Sequence, residues 1–137
     1  MASQINLKEI ETMNKYGIKV GSIFHAKCSY EQTNNHFFQV VELIGSETVK
    51  VKEIIPTIES ATECGFLAEN RTISFDSSIA YPTDKRSFYT KDKENGDKKR
   101  ISISKYNGKP YFKLNNYFFA YLVDNSKSFT VYESWYA

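Results

Sequence analysis

The sequence predicts a single α+β domain, mainly antiparallel β, with one short N-terminal helix packed on a strongly bent sheet or small barrel. Three observations lead there. Aromatic residues are heavy, with ten Tyr, ten Phe and one Trp among 137 residues, and aromatics suit the pleated, half-buried face of a strand. Apolar residues recur in short runs with period two. Two Asn-Gly pairs, at 95–96 and 107–108, supply the positive φ that tight hairpins need. The chain is long enough for one real core, so residues 1–137 read as one unit.

Taken in order, residues 6–16 read as the helix. Asn6 is its N-cap, Leu7, Ile10 and Met13 give a narrow apolar stripe, and Gly17 is the C′ residue. A β region follows over 18–80. Val20–Ser29 and Phe37–Ile44 are strands flanking the polar hexapeptide Tyr30-Glu31-Gln32-Thr33-Asn34-Asn35. That hexapeptide is expected as a loop, because its amides and hydroxyl are groups that bond backbone. Tyr30, Glu31, Gln32, Thr33 and Asn34 are therefore candidates for a shaped loop or a contact surface, with the structural role favoured.

Gly45-Ser46-Glu47 turns the chain into Thr48–Ile54, where Val and Lys alternate as in a half-buried strand, and Pro56 ends it. Residues 57–70 are polar and ambiguous, with Cys64-Gly65-Phe66 as the segment expected to pack inward. Arg71–Ile79 is the next strand, with Ile73 and Phe75 on one face. The last third, residues 85–132, reads as a basic β meander. Its strands are Ser87–Thr90, Ile101–Ser104, Tyr111–Leu114, Tyr117–Val123 and Phe129–Tyr132, joined by the two Asn-Gly turns, by Asn115-Asn116 and by Asp124–Ser126.

Charge is segregated along this chain. The net charge is only +2, yet Lys85–Lys113 holds ten Lys or Arg against three acids, and Glu53–Asp84 holds six acids against Arg71 alone. The molecule is expected to be dipolar. Two cysteines make no disulfide framework, Met1–Gln4 lacks a leader's basic and apolar pattern, and no run approaches the roughly 20 apolar residues of a membrane span. A cytoplasmic protein with no membrane partner is the expectation.

Enzyme chemistry finds little support. His25 and Cys28 have odd spacing, so they point to opposite faces of a strand. Pairing Cys28 with His36 across the hairpin is geometrically feasible, but no orienting acid is signalled. His25, Cys28, His36 and Cys64 lack the dense spacing of a zinc site, and the six glycines form no phosphate-cradling loop. No catalytic residue, metal or cofactor is assigned, and the protein reads as one that binds rather than catalyses.

The basic meander carries more. Lys85, Arg86, Lys91, Lys93, Lys98, Lys99, Arg100, Lys105 and Lys109 are interleaved with Tyr106 and Tyr111. Lysines neutralise phosphates and exposed aromatics stack on bases, so this stretch is a candidate binding surface for single-stranded nucleic acid or RNA. The plainer reading is that charged hairpin tips blunt the edges of a sheet. Tyr-rich surfaces also anchor protein interfaces, and the C-terminal third is rich in Tyr.

Tyr30-Glu31-Gln32-Thr33-Asn34, followed by Phe37-Phe38-Gln39-Val40 and a Val-rich strand, resembles a family of small phage and prophage proteins with a Tyr-x-Gln-Thr-Asn-x-x-Phe-aromatic-x-Val signature. The likeness covers about 20 residues firmly. Such proteins often carry an aromatic residue and a Gly where this chain has Lys27-Cys28-Ser29. The resemblance implies a partner: a host protein or ribonucleoprotein complex, such as a CRISPR effector, bound and sterically blocked in the host cytoplasm. Under it, the basic hairpins are the charged contact surface, and steric inhibition of a host complex is the leading expectation, with single-stranded nucleic-acid or RNA binding as the alternative.

Overall fold

The computed structural model describes residues 14–30, 32–55, 57–65, 68–74, 91–92, 95–123 and 129–134. Among them are ten strands: β1 (Ile23–Tyr30), β2 (Gln32–Ile44), β3 (Thr48–Ile54), β4 (Thr57–Gly65), β5 (Ala68–Ser74), β6 (Asp97–Arg100), β7 (Ser102–Ile103), β8 (Pro110–Lys113), β9 (Phe119–Val123) and β10 (Phe129–Ser134). The mainly antiparallel β expectation holds.

Most of the helix expected over 6–16 lies outside the described residues. Its last three, Asn14–Tyr16, form a turn instead. The physical reason is local. Asn14 Oδ1 accepts from the amides of Tyr16 and Ile18 at 2.9 and 3.0 Å, so the side chain supplies bonds that a helix would otherwise make.

Seven strands form one sheet in the order β6-β3-β2-β1-β9-β8-β7. Its two edge strands, β6 and β7, are separated in the chain by Ile101 alone. The chain therefore passes from one edge of the sheet to the other within a single residue, which the sheet can accommodate only by curling into a nearly closed barrel. Residues 97–103 act as one bent strand, pairing first with β3 and then with β8. The bend fails the expected Ile101/Ile103 alternation: Ile101 is buried, whereas Ile103 is exposed.

Period-two alternation sorts neighbouring residues into two cores. Phe24, Ala26 and Cys28 of β1, Phe38 and Val40 of β2, Val49 and Val51 of β3, Ile101, Phe112 and Ala120 fill the barrel. Phe112 contacts Phe24 and Phe38, with ring centroids 5.0 and 5.6 Å apart. Each such buried ring contributes about 2–3 kcal/mol. On the outer face, Ile23, Phe37 and Ile54 meet Ile73 and Val131 of the second sheet, whose order is β10-β5-β4. Phe37 and Phe38, adjacent in sequence, thus serve different cores.

Three further expectations are corrected. The hexapeptide at 30–35 is not a six-residue loop; β1 and β2 stay paired out to Tyr30 opposite Gln32. The meander holds for β7-β8-β9, but β10 leaves it to pair with β5, and β6 pairs with β3. Cys64 is exposed at the end of β4 rather than packed inward. Lys85, Arg86, Lys93, Glu31 and the Ser87–Thr90 strand lie outside the described residues.

Candidate functional site

The outer wall of the barrel is built in rows, because residues directly opposite on antiparallel strands share a face. One row runs Tyr111, Tyr121, His25, Phe37, Ile54 across β8, β9, β1, β2 and β3. The second sheet covers its Phe37–Ile54 end. Its Tyr111–Tyr121 end is half-exposed, and Phe119 packs edge-on to Tyr111 at 5.6 Å. Tyr111 and Tyr121 lie 5.7 Å apart, and His25 stacks on Phe37 at 4.9 Å.

Turns hold two more tyrosines clear of the wall. Ser104 Oγ accepts from the Tyr106 and Asn107 amides at 3.2 and 3.4 Å, and Asn107 Oδ1 accepts from Lys109 N at 3.0 Å. This fixes a tip from which Tyr106 projects 99% exposed, with Lys105 beside it. Asn115 Oδ1 accepts from Tyr117 N and Phe118 N at 2.8 and 2.9 Å, presenting Tyr117 at 82% exposure. Both are side-chain-closed Asx or Ser turns.

Cations rim this wall. A groove of about 440 Å³ between β1 and β9 is lined by Lys27, His25, Asn107, Lys109, Tyr117 and Tyr121. A cleft of about 270 Å³ at the barrel's seam is lined by Lys98, Lys99, Arg100, Tyr111, Phe112 and Lys113. Lys99 Nζ sits 6.0 Å over the Phe112 ring, a cation–π contact. Arg100 donates to Glu47 at 3.1 Å, so its charge is partly spent; Glu47 also bonds Lys15, and that bond holds its carboxyl below the usual range.

Two acids inside the basic run, Asp92 and Asp97, serve the backbone. Asp97 accepts from the amides of Lys91 and Asp92 at 2.7 and 2.9 Å, and Asp92 Oδ1 accepts from Asn95 N at 3.0 Å. They brace the turn entering β6 and lie off the aromatic row. From Ile101 to Val123 the chain carries Lys105, Lys109 and Lys113 and no acid.

Asn35 ties this wall to the second sheet. Its Nδ2 donates to Tyr132 O at 2.5 Å and to Glu133 Oε2 at 2.7 Å. Both are acceptors, so the amide nitrogen must face them and Oδ1 must face His25 Nε2, 2.7 Å away. His25 therefore carries a proton on Nε2 and donates it to Asn35, a bond that the neutral ring and the imidazolium make alike. Burial is the largest influence on this ring and pushes its pKa below the ordinary 6.5.

Inside one end of the barrel, His36 Nδ1 lies 3.0 Å from Glu53 Oε2, the latter buried. Glu53, His36 and Cys28 sit on β3, β2 and β1, so the acid that spacing did not signal comes from a neighbouring strand. A buried carboxylate requires such a partner. Among the described residues no three His, Cys, Asp or Glu are arranged to hold a metal, and no helix is long and apolar enough to cross a membrane.

Of the residues picked from sequence, Lys98, Lys99, Arg100 and Tyr111 meet at the seam cleft, and Lys105, Tyr106 and Tyr111 line a hollow with Phe119 and Tyr121. Lys109 joins the groove, while Lys91 lies exposed in the turn before β6. In the Tyr30–Asn34 stretch, the described backbone of Tyr30, Gln32, Thr33 and Asn34 is strand. Sequence reading does not place His25, Lys27, Phe119 and Tyr121 on this surface: there His25 bears only on catalysis and zinc, and Tyr121 counts only among the C-terminal tyrosines. The outward parity of His25 and Lys27 on β1 was readable, but the pairing of β1 with β9 was not. No family model matches the chain, nor does any curated protein or solved structure.

Proposed function

We propose that the protein is a single-stranded nucleic-acid-binding module that uses the outer wall of its barrel. The observation that supports this reading is the half-exposed Tyr111–Tyr121 row with Phe119, flanked by Lys27 and Lys109 on one side and Lys98, Lys113 and Arg100 on the other. Rings of this kind stack on bases without regard to sequence, and the cations beside them neutralise phosphates. A duplex would keep its bases stacked away from the rings.

The test is fluorescence anisotropy of labelled oligo-dT and oligo-U across a salt series. With about four phosphates neutralised, log K falls against log salt with a slope of about −3. No binding at 50 mM salt, or binding insensitive to salt, overturns the reading.

A second reading is a protein that sterically blocks a host macromolecular complex, in line with the resemblance to phage proteins. It draws on the exposed Ile103, Tyr106 and Tyr117, large apolar groups that an interface would cover. Its mark is a protein partner retained from host lysate after nuclease treatment and at high salt.

A further inference from the structure

We infer that the single strand lying on this wall has a short track with one closed end, in the groove at Lys27. The inference rests on the nucleic-acid reading above and adds length and direction to it. The row next to the aromatic one carries a gradient of charge. It begins with Lys113 opposite Phe119 on β8 and β9, and continues with Lys27 opposite Asn35 on β1 and β2. Asn35 bonds Glu133, which stands opposite Glu69, which stands opposite Glu63. The wall therefore passes from lysine to amide to three glutamates within the width of the molecule.

Arg71 bonds Glu69 and offsets part of its charge, whereas the Asn35 amide holds Glu133 in place without offsetting it, and Glu63 is exposed. Val123, opposite Ile23 and four residues along β1 from Lys27, lines the groove and packs on the second sheet's core, so that sheet borders the groove there as well as at Asn35. A phosphate continuing past Lys27 meets like charge. At the other side the track leaves through the seam cleft, whose lining holds Lys98, Lys99, Arg100 and Lys113 and no acid; Glu47, beside it, is paired with Arg100. From β1 across β9 and β8 to the seam is three inter-strand steps, about 15 Å. That length holds about four nucleotides, the lower bound for small barrels that bind single strands.

The experiment is a length series of oligo-dT from three to twelve nucleotides at 50 mM salt, on the wild type, on Glu63→Gln and on Glu63→Gln/Glu133→Gln. Gln at 133 keeps an oxygen for the Asn35 amide, and Glu63 is exposed, so folding is preserved. Wild-type affinity should climb to about four to six nucleotides and then level off. The double variant should bind dT12 about tenfold tighter than the wild type does, with dT4 unchanged. Affinity that keeps rising with every added nucleotide in the wild type overturns the closed end. A plateau unmoved in both variants overturns its electrostatic cause. No binding at any length removes the nucleic-acid reading itself, a different failure.

Discussion

The barrel wall and the three-stranded sheet are built from the same period-two strands, yet they carry opposite charge. Residues 97–123 hold six basic groups and one acid, while the strands of the second sheet hold Glu59, Glu63, Glu69 and Glu133 against Arg71. Charges present only for solubility are mixed in sign. Here the basic excess lies on residues 97–123 of the barrel and the acidic excess on the second sheet, and the sheets meet along Asn35 and the Phe37–Val131 core. The difference teaches that a net charge of +2 conceals two surfaces of opposite sign. Under the proposed function the basic one would attract a polyanion and the acidic one would limit where it can lie.

The comparison needs the barrel to close, and the most damaging change should be at Gly96. It has φ +89, and a Cβ there would meet Val51 O at 2.9 Å and Val41 Cγ2 at 3.2 Å. Both the backbone conformation and the approach of β6 to β3 exclude a side chain. Gly96→Ala should cost about 3 kcal/mol, read as a lower urea midpoint with unchanged slope. A loss under about 0.5 kcal/mol would mean β6 docks with less constraint than the geometry requires.

Next in size is Asn35→Asp, which strikes the joint between the sheets. It sets a carboxylate against Glu133 and the Tyr132 carbonyl where an amide donated. The expected loss is about 2–3 kcal/mol at pH 7. Below about pH 4 part of it should return, since a protonated carboxyl donates again. Thermal melts at both pH values decide it: a loss equal at each would point to shape rather than charge.

A third change sharpens the functional half of the comparison. Tyr111→Ala removes one ring of the exposed row and should weaken oligo-dT binding about tenfold or more, from the 1–3 kcal/mol that a stacked base contributes. Tyr132→Ala on β10 removes an equally common residue, also exposed, from the acidic sheet. It should leave binding within about twofold, since surface changes away from a site act weakly. Equal losses in both variants would break the assignment of binding to the barrel wall.

What the sequence made legible was local. Val and Lys alternation over 48–54 gave the buried Val49 and Val51 of β3, and the two Asn-Gly pairs gave turns with φ of +89 and +70 at their glycines. The cations of the wall could be picked out because they crowd one stretch. The rest depended on contacts distant in sequence. Asn35 meets Tyr132 and Glu133 from 97 and 98 positions away, and nothing in a polar hexapeptide says which strand will lie beside it. The barrel closes through a bend at Ile101 that the Ile-Ser-Ile-Ser alternation conceals. The aromatic row exists because β1 pairs with β9, a long-range choice that local pattern does not encode.

The smallest expected effect concerns His25, at the boundary of the two regions. Its folded pKa lies below the unfolded value of about 6.5, mainly because burial disfavours the imidazolium. Above 6.5 the ring is neutral in both states and folding is undisturbed. As pH falls through 6.5 the unfolded chain binds the proton first, so stability declines until the folded ring protonates as well. The Asn35 bond survives that step, because Nε2 already donates and protonation falls on Nδ1. Stability measured from pH 8 to pH 5 should therefore drop modestly in the wild type, and by less in His25→Gln, which cannot take up the proton. A wild-type curve that rises as pH falls through this window would mean the imidazolium is favoured on folding. His25 would then belong with the cations of the wall rather than with the neutral joint between the sheets.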